Sequence, residues 1–365
     1  MSAIVVTSDR FADHLMPPGH SERVERAEVM QVVASRWAER GGRVIEPRSA
    51  TREEVGRVHA SGYIDAIAAT AGRATMLDPD TYTSPESYDV ALLAAGAAIV
   101  ATDTVLGVRR LPLDTSRLRA FALVRPPGHH AERDRAMGFC LFNNIAVAAA
   151  QALSLGIDRI AIVDYDVHHG NGTQWTFYED PRVLYISTHQ YPFYPGTGAA
   201  GEAGAGSGEG FTVNVPLRAG ATDGDYDLVF RSVIVPVLHE FKPQLLLVSA
   251  GFDGHERDPL AGMRLSTAGY AVLNRHLSAV ADATCQGRMV LVLEGGYALP
   301  TLAECLETTL EILDEERPSS PPSAARAPEE VGGGEGAGAI GAPTDRGPEA
   351  VELVRAVQKP YWRAL

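Results

Sequence analysis

The chain has 365 residues, among them 36 glycines, 23 prolines and three cysteines, with a formal net charge of −14, 45% hydrophobic and 21% charged residues. This is ordinary globular composition, long enough for one large α/β domain or two small ones. An acidic chain is a poor autonomous nucleic-acid binder, and no uninterrupted apolar run reaches the ~18 residues of a membrane helix.

The N-terminus, MSAIVVTSDR, lacks the basic-then-apolar order of a secretory signal. Cys140, Cys285 and Cys305 show no framework spacing, which points to a reducing, cytoplasmic setting. Lys242 and Lys359 are the only lysines, and neither sits in a P-loop or beside a candidate site, which argues against phosphate-cradle and Schiff-base chemistry.

In chain order, β-branched apolar runs predict strands at 3–6, 121–124, 160–163, 183–186, 211–215, 245–248 and 289–293. Helical spacing is predicted over 86–108, 144–155, 226–241 and 267–283, the second stopping at Gly156. Alternating strands and helices imply a parallel sheet covered on both faces. Residues 318–348 contain six prolines and seven glycines, with Val331 and Ile340 as their only large aliphatics. This stretch is expected to be a flexible insert between a body at 1–317 and a C-terminal element at 349–365. In that element an amphipathic segment, 349–358, precedes Pro360-Tyr361-Trp362, whose aromatics are expected to dock on the body. There is no internal repeat.

Polar residues cluster where predicted strands end. The run 121–124 leads into Arg125-Pro-Pro-Gly-His129-His130, and 160–163 into Asp164-Tyr-Asp166-Val-His168-His169-Gly-Asn171. Likewise 183–186 leads into Ser187-Thr188-His189, 245–248 into Ser249-Ala-Gly-Phe-Asp253, and 289–293 into Glu294-Gly-Gly-Tyr297. In an open parallel sheet the carboxyl ends share one edge, where ligands bind. Alternation in an extended segment puts Asp166 and His168 on one side, and Asp253 is the natural third ligand for a divalent ion in an open catalytic site. A single D-x-D-x-H alone would suit an ordinary acidic loop equally well; the added Asp253 and the histidine doublet tip the balance. His129 and His130 after a Pro-Pro-Gly turn suit acid–base chemistry. Tyr297 after two glycines can approach a substrate closely. His169, His189 and His255 read as packing residues or as supports behind the residues that touch the ligand. A G-x-S-x-G elbow, a PCxxC deaminase motif and a GxGxxG turn are all missing at the places where they would be needed.

Six ordered motifs, RPPGHHA at 125–131, GFCLFNN at 138–144, VDYDVHHGNGTQ at 163–174, STHQYPFYPGTG at 187–198, SAGFDGHERDPLAG at 249–262 and LEGGY at 293–297, resemble the zinc-dependent histone deacetylase family. The HHGNG form is similar to class II members and their bacterial relatives. The resemblance runs from about His14 to Tyr297 and implies a three-layer α/β/α arginase/deacetylase fold with a mainly parallel sheet, so that 1–317 would be the catalytic domain. It further implies one Zn2+ on Asp166, His168 and Asp253, and a catalytic set of His129, His130 and Tyr297, with Asp164 orienting His129 and Asn171 partnering His130. Gly138, Phe139 and Tyr194 match the acyl-lysine channel, and Asp80 a rim position. A structural K+ would sit on the carbonyls of Asp164, Asp166 and His168 with Ser187 and Thr188. Ser21 departs from the proline of the family's HPER. Gly170 and His255 stand where the related two-manganese arginases need aspartates, which argues for one metal.

The expected function is removal of acetyl or other acyl groups from lysine Nε in proteins or peptides by metal-activated water. The alternatives are deacetylation of acetylpolyamines or other small amines, and a non-catalytic metal-binding regulator of the same fold. The expected partners are these acetylated substrates, with no direct nucleic acid or membrane, and self-association into a homo-oligomer is left open.

Overall fold

The computed structural model describes residues 3–109, 119–315 and 340–365. Its strands are β1 (Ala3–Val6), β2 (Arg43–Ile45), β3 (Thr75–Met76), β4 (Tyr82–Thr83), β5 (Arg119–Ala122), β6 (Ile160–Asp164), β7 (Val183–Gln190), β8 (Thr212–Leu217), β9 (Leu245–Ala250) and β10 (Met289–Leu293). Eight of them form one sheet in the order β2-β1-β5-β10-β9-β6-β7-β8. All neighbouring pairs in it are parallel, while β3 and β4 form a separate antiparallel pair.

Helix Ser87–Val105 packs on Asn144–Ser154 and also lies against β1, β5 and β10. Helix Leu299–Asp314 covers β1 and β5 as well, and packs on Glu25–Glu39 and Thr267–Thr284. Two helical layers over the same strands make the expected α/β/α sandwich, which is why the strands are continuously apolar rather than alternating. Helix Ser87–Val105 is long and apolar enough to cross a membrane, although no unbroken apolar run is; it is mostly buried inside the sandwich. Asn143 and Ser266 cap their helices by accepting the N–H groups of Ala146 and Gly269.

Several boundaries differ from those predicted. β5 starts at Arg119, because this charged residue is buried and paired with Asp282 at 3.0 Å, and ends at Ala122. β7 runs on to Gln190 in register with β8, so Ser187, Thr188 and His189 lie inside the strand rather than after it. β8 tolerates Pro216 because it is the sheet's edge strand. The short edge strand β2 and the helices Glu25–Glu39 and Leu299–Asp314 were not predicted.

The C-terminal helix is Arg346–Gln358, three residues longer at its start than expected. The Asp225 carboxylate accepts the N–H groups of Thr344 and Gly347. Residues 344–348, assigned by composition to the flexible insert, are therefore tied to the body. Gln358 and Trp362 donate to the carbonyls of Thr212 and Gly210, and the Trp362 ring packs edge-on to Phe211 and Phe241. Residues 318–339 of the expected insert lie outside the described residues.

Candidate active site

The strand order sets the site. β5, β10, β9 and β6 are consecutive in the sheet, so the segments leaving their carboxyl ends meet: Arg125–His130, Glu294–Tyr297, Gly251–Asp258 and Tyr165–Gly170. They surround a cavity of ≈ 220 Å3 lined by His129, His130, His168 and Tyr297, with Gly138, Phe139, Tyr194, Leu260 and Asp80 completing its walls.

Asp166, His168 and Asp253 each turn one donor atom to a common point, with all three within 4.8 Å of one another. His168 Nδ1 lies 3.2 Å from Asp166 Oδ1 and 3.1 Å from Asp253 Oδ2. Both carboxylates are fixed from behind: Asp166 accepts the Gly295 N–H at 2.8 Å, and Asp253 that of Val167 at 3.0 Å. Backbone passes so close that a Cβ at Gly251 would strike the Asp166 carboxylate, and one at Gly295 the Asp253 carboxylate. Burial opposes charge on His168, but the Asp166 and Asp253 hydrogen bonds and charges outweigh it and raise its pKa to about 10. Burial raises Asp253, with the Asp166 charge adding to the shift. Two carboxylates and an imidazole crowded in this way form an open O/N donor set that fits a divalent cation.

The two histidines of the doublet differ. His129 Nδ1 lies 3.0 Å from Asp164 Oδ2, whose carboxylate also accepts the Tyr185 hydroxyl and the Asp166 N–H. Burial opposes its charge, but Asp164 and Asp166 overcome this and raise His129 to about 10. His130 Nδ1 lies 2.8 Å from Asn171 Oδ1, a neutral partner. Burial, together with the charges of His129 and His168, pushes His130 well below 6.5. Adjacent residues are thus set to opposite protonation states, His129 by its carboxylate neighbours and His130 by burial and the charges beside it.

Tyr297 lines the same cavity, and its hydroxyl has no hydrogen-bond partner among the described residues. Its ring lies 5.1 Å from the Arg26 guanidinium, a cation–π contact. Arg26 is fully buried, donates to the Gly296 and Glu294 carbonyls and pairs with Glu22 at 2.8 Å. Arg125 shares the same Glu22 at 2.6 Å. Phe139 has φ +69°, a left-handed conformation that is strained for a bulky residue, and Thr81 Oγ1 accepts its N–H. The ring of Tyr194 stands edge-on to His130 at 5.2 Å. Asp80 is half-buried at the wall, where burial and Asp78 raise its pKa.

Of the remaining predicted residues, Thr188 Oγ1 is 3.5 Å from the Asp164 carbonyl, while Ser187 Oγ faces His189 Nδ1 at 2.9 Å. His169 and His189 stay off the cavity wall, bonded to Thr197, Gln174 and the Gly198 carbonyl, and His255 accepts the Arg257 N–H. Sequence reasoning missed Glu294, Asp258 and Leu260 as individual contributors. Glu294 accepts the N–H groups of Gly128 and His129 and the Ser249 hydroxyl. Burial raises its pKa to about 7. An acid at a strand end directly before Gly-Gly-Tyr was the available signal. Asp258 and Leu260 carried no such mark.

The family model described as histone deacetylase domain matches residues 20–313. The chain belongs to the histone deacetylase family. A probable deacetylase of Archaeoglobus fulgidus is 43% identical over 298 residues, covering 81% of this chain and 81% of that protein. The polyamine deacetylase HDAC10 of Homo sapiens is 36% identical over 385 aligned positions, covering 100% of this chain and 53% of that protein. Among solved structures, the HDA15 HD domain superposes with a TM-score of 0.85 at 34% identity, covering 100% of this chain and 96% of that chain. The arginase/deacetylase fold expected for such a family member is the fold observed.

Proposed function

We propose that this family member is a zinc-dependent hydrolase that removes acetyl groups from lysine Nε in proteins or peptides. The observation that carries the reading is the convergence, on one cavity, of the Asp166–His168–Asp253 donor set, a histidine doublet split in basicity and a phenol with a free hydroxyl.

When bound, a divalent ion on these donors polarises an acyl carbonyl and acidifies a water. His130, neutral at the start, accepts the water's proton and returns it to the leaving amine. Asn171 presents its oxygen to His130 Nδ1, which keeps the Nδ1–H tautomer and leaves Nε2 as the base. His129, held protonated by Asp164, supplies positive charge beside it and keeps His130 from protonating early. Tyr297 donates its hydroxyl hydrogen bond to the oxygen on which negative charge develops. Phe139, Tyr194 and Leu260 offer apolar contact to a four-carbon lysine stem and exclude water around it. A structural K+ at the Asp164, Asp166 and His168 carbonyls, with Ser187 and Thr188, belongs to the same reading.

Lysine is favoured over a polyamine by the wall itself. Among the described residues Asp80 is the only carboxylate lining the cavity, and Leu260 is apolar, whereas a polyamine brings further ammonium groups that need partners. The polyamine reading rests on the human relative named for that activity. Rates of the zinc-loaded protein on an acetyl-lysine peptide and on N-acetylated polyamines, measured side by side, test both. A higher kcat/KM for the peptide is expected; a higher value for the polyamines rejects the lysine assignment, and no turnover of either rejects catalysis.

A further inference from the structure

Asp258 is 7% exposed and is not among the residues lining the cavity, yet it binds backbone on both sides of the site. Its Oδ2 accepts the N–H groups of Tyr297 at 2.7 Å and Ala298 at 3.1 Å. Its Oδ1 accepts the N–H of Leu260 at 3.1 Å. One carboxylate therefore joins the phenol-bearing turn to the loop that supplies an apolar wall residue of the cavity.

The turn needs this support. Gly295 and Gly296 precede Tyr297, and Gly296 has φ +128°, so local side-chain sterics do not fix where the tyrosine backbone lies. It is set from outside: Asp166 accepts the Gly295 N–H on one side, and Asp258 accepts the Tyr297 N–H on the other. The residue opening helix Leu299–Asp314 is Ala298, which has no capping side chain. Asp258, reaching across from another loop, instead accepts the N–H of Ala298 itself and of Tyr297 just before it, and the positive end of the helix favours its negative charge.

Resting on the role given above to Tyr297, we propose that Asp258 is a positioning residue that holds the Tyr297 phenol in register with the Leu260 wall, so that a stem seated along Leu260 delivers its acyl group to the hydroxyl. An amide cannot replace the carboxylate, because both oxygens are engaged and Asn offers only one.

The test is a double-mutant cycle on the zinc-loaded full chain, with D258N made alone and in a Y297F background. A trifluoroacetyl-lysine peptide, whose electron-poor carbonyl keeps residual turnover measurable, serves as substrate. D258N alone is expected to lower kcat at least tenfold with KM changed less than threefold and zinc stoichiometry retained. In Y297F the same change is expected to cost less than twofold. Wild-type kcat in D258N, equal losses in both backgrounds, or loss of zinc would each overturn the proposal. If D258N does not fold, A298P decides: it removes one of the two donors to the Asp258 oxygen. Lowered kcat that vanishes as an effect in Y297F supports the proposal, and unchanged kcat refutes it. Full turnover by Y297F alone would instead reject the tyrosine's role, whereas an inactive Y297F beside a fully active D258N rejects the positioning role only.

Discussion

Acidification should unfold this protein partly through His59, a buried histidine behind the doublet. Its Nδ1 lies 2.8 Å from the Glu132 carbonyl, and its Nε2 accepts the Asn143 N–H at 2.9 Å. The ring is therefore neutral, with its proton on Nδ1; a second proton on Nε2 would point at the Asn143 N–H. Burial lowers its pKa from 6.5 to about 4, only partly offset by backbone hydrogen bonds to Glu132 and Arg133. Because the folded value lies below the unfolded one, the unfolded chain takes up the proton first. Stability from this group is complete above 6.5 and is lost as pH falls toward 4. Between about pH 7.5 and about pH 5 the two titration curves diverge by about 2 kcal/mol. The assay is urea unfolding, followed by circular dichroism, of the wild type and H59Q at both pH values. Groups that titrate with the opposite sign, such as Glu294, cancel in the difference between the two proteins. The wild type's advantage should shrink by about 2 kcal/mol at the lower pH. A difference constant to within about 0.5 kcal/mol would show that His59 is not held neutral.

Other outcomes bear on the site directly. Tyr297→Phe should retain zinc while kcat on an acetyl-lysine peptide falls ~10²–10³-fold, the usual cost of one oxyanion donor; unchanged kcat removes the phenol from the reaction. Asp253→Ala should abolish stoichiometric zinc binding by calorimetry, and an undiminished stoichiometry rejects the donor set. Gly251→Ala drives a Cβ onto the Asp166 carboxylate and should weaken zinc affinity ~10–100-fold, as disturbed supports of metal ligands do; wild-type affinity would mean the carboxylate has room to move.

Much of the site was legible because its residues follow apolar runs immediately. Asp164 closes β6, Asp166 and His168 follow it directly, and His129–His130 come shortly after β5, so residue type and position together marked them. Glu22, Arg26 and Arg125 were not legible: three buried charges satisfy one another across 103 residues of chain, and nothing local announces that an arginine will lie at 0% exposure. Arg119 misled for the same reason, since a charge at a strand start reads as surface until Asp282 is seen beside it. The left-handed backbone of Phe139 was equally hidden, because its cost is met by contacts from Thr81 and His20, far away in the chain.

By itself, the sequence determined the alternation of strands and helices, the parallel sheet and the kinds of chemistry waiting at strand ends, since these depend on local periodicity and side-chain type. Only the tertiary structure decided that β10 and β9 stand between β5 and β6. That order brings Asp253 to His168 and Tyr297 to His130, and lets Asp258 hold both Tyr297 and Leu260. It arises from packing many weakly specific apolar faces at once, a sum that no single stretch of chain contains.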